Sequence, residues 1–229
     1  MKCPDIPPPP PFQCPGAFCT ITPDRGDRPD FMMFCRHQLN RMNTPPQHSY
    51  FIDYNPKSTA KDLVERVQKG IEMAKADGFD ICFIVESDDY YPADYFDKID
   101  DMPDFQGSQS TTYYHLANNG YQAEVHHGRA SLFTTGFRIS ALKGFDFNKT
   151  RKVFLDVSLW DHARRKRKDR KFQNTGAIGI KHGIGLTGGI GHRQQIYRRF
   201  DRDWSWLAAR VDSEALEFYK DMQKKINGN

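Results

Sequence analysis

The sequence predicts an α/β fold in which a mostly parallel central sheet is flanked by helices, and three observations carry that prediction. The unbroken apolar run Ile81–Val85 has the composition of a strand buried on both faces, as strands of parallel sheets are. Two earlier strand-like segments are each followed by a segment of helical periodicity, giving the order β-α-β-α-β, and right-handed crossovers then bring all three strand ends to one edge. Acids end the second and third of these strands, at Asp53 and at Glu86, Asp88 and Asp89, where open α/β sheets hold ligands.

Taken in order, residues 1–16 form a proline-rich arm, because the consecutive Pro7 to Pro11 favour polyproline II and cannot join a sheet. Ala17 to Thr22 is the first strand, ending in the turn-rich Pro23-Asp24-Arg25-Gly26-Asp27-Arg28-Pro29. Pro29 suits a first helical turn, and Phe31, Phe34, Cys35, Leu39 and Met42 keep to one helix face. His48 to Asp53 is the second strand, broken by Asn55-Pro56. Ser58 or Thr59 is placed to cap a helix with Leu63, Val67, Ile71 and Ala74 at helical spacing; Thr59 and Asp62 resemble a capping box, and Gly78 closes the helix. Glu86 and Asp88 share one side of an extended backbone, with Asp89 pointing elsewhere or turning in, and Pro92 stops the strand.

Regular alternation is lost in the second half. Gln109 to Leu116 and Ala130 to Thr135 read as strands, Phe137 to Lys143 as a short helix, and Arg151 to Arg164 as a segment carrying Asp156, Trp160, Asp161 and His162. Seven glycines lie from Gly176 to Gly191, in a stretch that starts with a strand-like Ala177 to His182, a pattern for close backbone approach to a ligand. A last helix is capped by Ser213 and packs through Leu216, Tyr219, Met222 and Ile226.

Composition narrows the function classes. With 229 residues, 38% hydrophobic, and 17 Phe, 10 Tyr and 3 Trp, the chain has the material for a large single core. No apolar stretch approaches the ~20 residues needed to cross a bilayer, and no apolar secretory segment opens the sequence, so cytoplasmic placement is expected by elimination. The cysteines are odd in number, at 5, and lack metal-binding spacing, which favours reduced thiols. The net charge of +4 is uneven: Arg164, Arg165, Lys166, Arg167, Lys168, Arg170 and Lys171 form a basic run that reads either as a solvated face or as a contact for a polyanion.

A nucleotide diphosphate bound through a divalent cation needs carboxylates for the metal, cations for the phosphates and an acceptor for base or ribose. Asp88 and Glu86 supply the first for Mg²⁺ or Mn²⁺, Arg25 and Arg28 the second, and Asp53 the third. Singly, each also describes an ordinary surface charge or turn; their joint placement at strand ends favours a site.

At these residues the chain resembles the GT-A glycosyltransferases, particularly family-2-like enzymes that use nucleotide-diphosphate sugars. The resemblance covers residues 17–195 and rests on Thr20-Ile21-Thr22-Pro23 with the Arg25/Arg28 loop, on Phe51-Ile52-Asp53, and on Phe83 to Pro92, which matches the family's DXD motif with Glu86 in place of the first aspartate. It implies a Rossmann-like GT-A domain over 17–229, with a nucleotide-sugar-binding half at 17–105, a mixed acceptor and catalytic half at 106–200, and a C-terminal helical extension at 201–229. It implies donor contacts from Thr22, Pro23, Arg25, Arg28, Asp53, Glu86, Ser87, Lys181 and Gly185, with a UDP-sugar as the expected donor. The metal set is Asp88, Glu86 and His182, with His192 competing for the last place. Leu155 to Asp161 resembles the segment that carries the base of inverting members, so Asp156 is the expected base and Asp161 the second choice; without that base the enzyme would be retaining. Trp160, Arg164 and Arg165 fall on the acceptor side, and a hydroxylated base in DNA is one acceptor the basic run suits. Two other readings compete: a nucleotidyltransferase, disfavoured because the loop after the first strand is not glycine-rich, and a nucleic-acid-binding protein using residues 164–171.

Overall fold

The computed structural model describes residues 16–54, 61–97, 101–150, 154–183 and 197–228. The proline arm, the Asn55-Pro56 break, the Ser58/Thr59 cap, Gly185 and His192 lie outside these residues. The first half follows the expected order: β1 (Phe18–Asp24), α1 (Pro29–Asn40), β2 (His48–Asp53), α2 (Asp62–Ala76) and β3 (Ile81–Ile84). After them come β4 (Phe105–Gly107), β5 (Ser110–His115), β6 (Gly120–Val125), β7 (Gly136–Arg138), α3 (Leu155–Arg165), β8 (Arg170–Phe172), β9 (Ile178–Lys181), β10 (Arg199–Phe200), the short α4 (Ser205–Ala208) and α5 (Ser213–Ile226).

The fold is mixed α/β. Its main sheet has the strand order β2-β1-β3-β7-β4-β8; β7 runs antiparallel to both neighbours and the other five strands run the same way. A smaller mixed sheet, β10-β6-β5-β9, stands beside it. The two are joined where Tyr90, in the loop after β3, pairs with Ile178 of β9 through reciprocal backbone hydrogen bonds of 3.0 Å.

β3 reads as an uninterrupted apolar run because both of its faces are covered. Cys82 and Ile84 pack with Val67, Ile71 and Ala74 of α2 and with Leu159 and Trp160 of α3. Ile81, Phe83 and Val85 face the other way, onto Cys35 and Leu39 of α1 and onto Phe96. A third cluster joins Phe31 and Phe34 of α1 to Tyr219 and Met222 of α5. The buried thiols of Cys19 and Cys82, directly opposite each other in β1 and β3, lie 3.1 Å apart and are free, as is Cys35. No described helix is long and apolar enough to cross a membrane.

Four expectations are corrected. Ala130 to Thr135 is a 3-10 turn over Leu132–Thr134 rather than a strand, because the Ser131 carbonyl accepts from the Thr134 and Thr135 hydroxyls and closes the backbone on itself. Phe137 to Lys143 begins as strand β7 and is helical only as a 3-10 turn at Ile139–Leu142. The cap of α5 is Asp212, whose carboxylate accepts from the Ala215 amide at 2.9 Å, one residue before the expected Ser213. Asp62, assigned to a capping box, is instead a fully buried counter-ion: it accepts from Arg66 Nε at 3.0 Å and Arg25 Nε at 2.7 Å, while Arg66 also donates to the Ile52 and Tyr54 carbonyls at the end of β2. Asp62→Ala leaves a fully buried guanidinium without its carboxylate, so the unfolding free energy from urea titration should fall by roughly 3–5 kcal/mol.

Candidate active site

The loop after β3 is a turn. The Val85 amide still donates to Ile21 of β1 at 3.0 Å, but the Glu86 amide donates to the Tyr91 hydroxyl at 2.9 Å and the Asp89 amide to the Glu86 carbonyl at 3.3 Å. Side-chain alternation with period two needs extended backbone, so it fails here. Glu86, Asp88 and Asp89 consequently all converge, each bringing a carboxylate oxygen within 4.8 Å of the others. Asp89 does not point away from the pair; it completes a triad. Gln38 of α1 holds this turn from below, donating to the Asp89 carbonyl and accepting from the Tyr91 amide, both at 3.1 Å. Tyr219 of α5 donates to the Asp88 carbonyl at 3.4 Å.

Two cations and an imidazole answer the triad. Arg28, the N-cap of α1, donates from Nη1 to Asp88 Oδ2 at 2.9 Å. His182, just beyond β9 and stacked on Phe31 at 4.4 Å between ring centroids, places Nε2 2.9 Å from the same oxygen. Lys181 ends β9, with its ammonium 5.1 Å from the Tyr113 ring centre. Burial pushes the Asp88 carboxyl up, but Arg28, the hydrogen bond and charge of His182 and the charge of Lys181 outweigh it and hold Asp88 far below the usual carboxylate range. Asp89 goes the other way: burial, then the Asp88 charge, raise it well above the ordinary value. Glu86 is likewise raised, first by burial and then by Asp88 and Asp156, against Lys181 and Arg28. Burial disfavours the charged form of Lys181, yet Asp89, Glu86 and Asp88 keep its ammonium above the usual lysine range.

The chemistry of this donor set suits a hard divalent cation: carboxylate oxygens with one imidazole. Asp89 Oδ1 accepts from the Ile180 amide at 2.7 Å, while its buried Oδ2 has no hydrogen-bond partner among the described residues, an acceptor the protein itself leaves open.

The other expected residues divide. Thr22 and Pro23 close β1 beside this cluster, and Ser87 is buried within the turn. Asp53 is exposed at the end of β2, two strands from β3, or about 10 Å by strand spacing. Arg25 is held by Asp62, on the α2 side of the loop. Asp156, in the first turn of α3, is buried and ion-paired to Arg129, and Glu86 feels its charge. Asp161, five residues along the helix and so about 140° around it, faces away: it pairs with Arg164 at 2.9 Å and lines a cleft of about 590 Å³ with Phe145, His162 and Arg165. Trp160 offers no stacking face: it is 1% exposed, donates to the Thr135 hydroxyl at 3.0 Å and stacks on Phe172 inside the core. The basic run is not a loose tail, since it ends in β8, which pairs with β4.

Reasoning from the sequence placed Asp89 in the acidic cluster without choosing its direction, and missed the roles of Gln38, Arg129 and Tyr219. Gln38 left a signal, a lone amide on the apolar face of α1; Arg129 and Tyr219 left none, because their partners lie 27 and 131 residues away.

No protein-family model matches the chain, and no curated protein does. Among solved structures it is similar to A197 from STIV, at 13% identity over 69% of this chain and 82% of that one, with a TM-score of 0.42. It is also similar to a nucleoside-diphosphate-sugar pyrophosphorylase from Vibrio cholerae RC9, at 13% identity over 78% of this chain and 81% of that one, with a TM-score of 0.38.

The raised Asp89 carboxyl sets a pH dependence. A group whose folded pKa is raised stabilises the fold fully below its unfolded value, about pH 4, and that stability is lost as pH rises through the folded value. Asp89→Asn keeps an oxygen for the Ile180 amide and cannot ionise. In EDTA its melting temperature should match wild type near pH 4 and exceed it by a margin that grows as pH rises toward 8. A difference that shrinks with rising pH would contradict the burial assignment.

Proposed function

We propose that the chain is a metal-dependent glycosyltransferase of GT-A type, moving a sugar from a nucleotide-diphosphate sugar, in the first instance a UDP-sugar, to a hydroxyl acceptor. The observation that carries this reading is the meeting of Asp88 and His182, 94 residues apart in sequence, inside one carboxylate cluster at the ends of β3 and β9. Asp88, Glu86 and His182 would hold Mn²⁺ or Mg²⁺, with Asp89 as a further oxygen donor. The ion, when bound, supplies positive charge for the diphosphate.

The chain's own residues supply the rest. Arg28 and Lys181 are fixed cations beside the cluster, placed to take the charge that develops on a departing diphosphate. Thr22, Pro23, Asp53 and Ser87, along the same sheet edge, take the nucleoside and ribose, and Arg25 fixes their loop to α2. Asp156 removes the acceptor's proton as the acceptor oxygen bonds to the anomeric carbon; the bond from that carbon to the diphosphate breaks, and its electron pair leaves with the phosphate. Of the two acids on α3, Asp156 is favoured because its charge reaches Glu86, whereas Asp161 lines the other side of the helix.

The cations of residues 164–171 support a polyanionic acceptor, such as DNA carrying a hydroxylated base. Among the described residues, Arg165, Lys166, Arg167 and Lys168 form no ion pair, which leaves them available to phosphates.

Two contrasts test the reading. Asp88→Asn should remove the Mn²⁺-dependent part of UDP binding measured by calorimetry, while Asp156→Asn should keep donor affinity and lose about 10²–10⁴ in transfer rate. Unchanged UDP affinity in the first, or full turnover in the second, rejects the corresponding role. Neutralising Arg164 to Lys168 should weaken binding of duplex DNA and flatten its salt dependence by about 0.9 in log–log slope for each phosphate no longer neutralised, with no effect on a neutral glycan acceptor. An equal fall in binding on both acceptors would retire the polyanion.

A further inference from the structure

Asp156 is paired with a residue that no motif announced. Arg129 follows the turn after β6, where Gly128 adopts φ +73° and the Arg129 amide donates to the His126 carbonyl at 3.3 Å. That turn carries its guanidinium across to α3, where Nη1 donates to Asp156 Oδ2. Arg129 is thus the partner that lets a carboxylate stand in the first turn of α3 although the residue is only 8% exposed. Burial alone pushes the Asp156 carboxyl up; Arg129 and the backbone amides of Val157 and Asp156 itself oppose it. Glu86, of like sign, feels the Asp156 charge.

Building on the glycosyltransfer reading, we propose that Arg129 is the positioning residue for Asp156, fixing one oxygen of its carboxylate so that the other receives the acceptor's proton. A guanidinium suits the task. Its planar fork fixes direction, and it cannot itself take up the proton it helps to move. Cations from the β1–α1 loop and from β9 serve the donor cluster, while a separate cation following β6, in the same small sheet as β9, serves the base.

The experiment is a double-mutant cycle on hydrolysis of UDP-hexoses in Mn²⁺, with water as acceptor, using wild type, Arg129→Gln, Asp156→Asn and the double variant, with Arg129→Lys as the conservative control. Arg129→Gln should lower kcat at least about tenfold, within the usual worth of a positioned base, with donor KM unchanged. Arg129→Lys should recover most of that loss. In the Asp156→Asn background Arg129→Gln should cost nothing further, because the group it positions is gone. Losses that add in the double variant, or a donor KM that rises in step with the fall in kcat, overturn the assignment. Should Arg129→Gln fail to fold, the same cycle run with Arg129→Lys decides, and full additivity there overturns it equally. A wild type that hydrolyses no UDP-hexose and transfers to no acceptor overturns the glycosyltransfer reading and the base role together. Turnover in wild type with an additive cycle overturns Arg129 alone.

Discussion

Three carboxylates cannot share one half-enclosed turn unless something answers their charge, and much of the surrounding architecture follows from that requirement. Glu86, Asp88 and Asp89 stand within 4.8 Å of one another, in a setting where repulsion is far stronger than in bulk water. The answer comes from three places in the chain: Arg28 at the start of α1, Lys181 at the end of β9, and His182 just beyond it. Two constraints deliver them. The β1–α1 crossover puts Arg28 at the edge where β3 ends, and the Tyr90–Ile178 pairing brings β9 alongside. The small sheet is therefore held to the large one at the point where charge needs balancing.

The acids do not share the burden equally. Asp88 receives both close partners and is kept ionised far into acid, whereas Asp89, with one oxygen on an amide and the other without a partner among the described residues, is pushed toward its neutral form. An acceptor left open inside a carboxylate triad could hold a cation, and active sites commonly trade stability for affinity in this way.

The first half of the fold was legible because its signals are local: an apolar run for β3, helical periodicity for α1 and α2, and Pro29 at a helix start. The short strands were not. β4, β7, β8 and β10 are two or three residues each, and what makes them strands is pairing with distant partners, such as Phe137 between Cys82 and Phe105. The site was half legible for the same reason. Asp88 and Glu86 stand out within ten residues, whereas His182 was named through the family resemblance, with His192 competing. Whether Asp89 points elsewhere or turns in depends on where the extended backbone ends, which sequence leaves open and the turn at Glu86 decides, and Trp160 fell on the acceptor side because sequence does not distinguish a core indole from a stacking one.

Tyr219 adds a matter of timing. Its hydroxyl reaches back to the Asp88 carbonyl across 131 residues, and its ring is fully buried in the cluster that α5 forms with α1. During synthesis the strands that carry the acids emerge long before this tyrosine does. The acidic turn, already held by Gln38 and by its pairing with β9, thus receives its last backbone partner only when the final helix arrives.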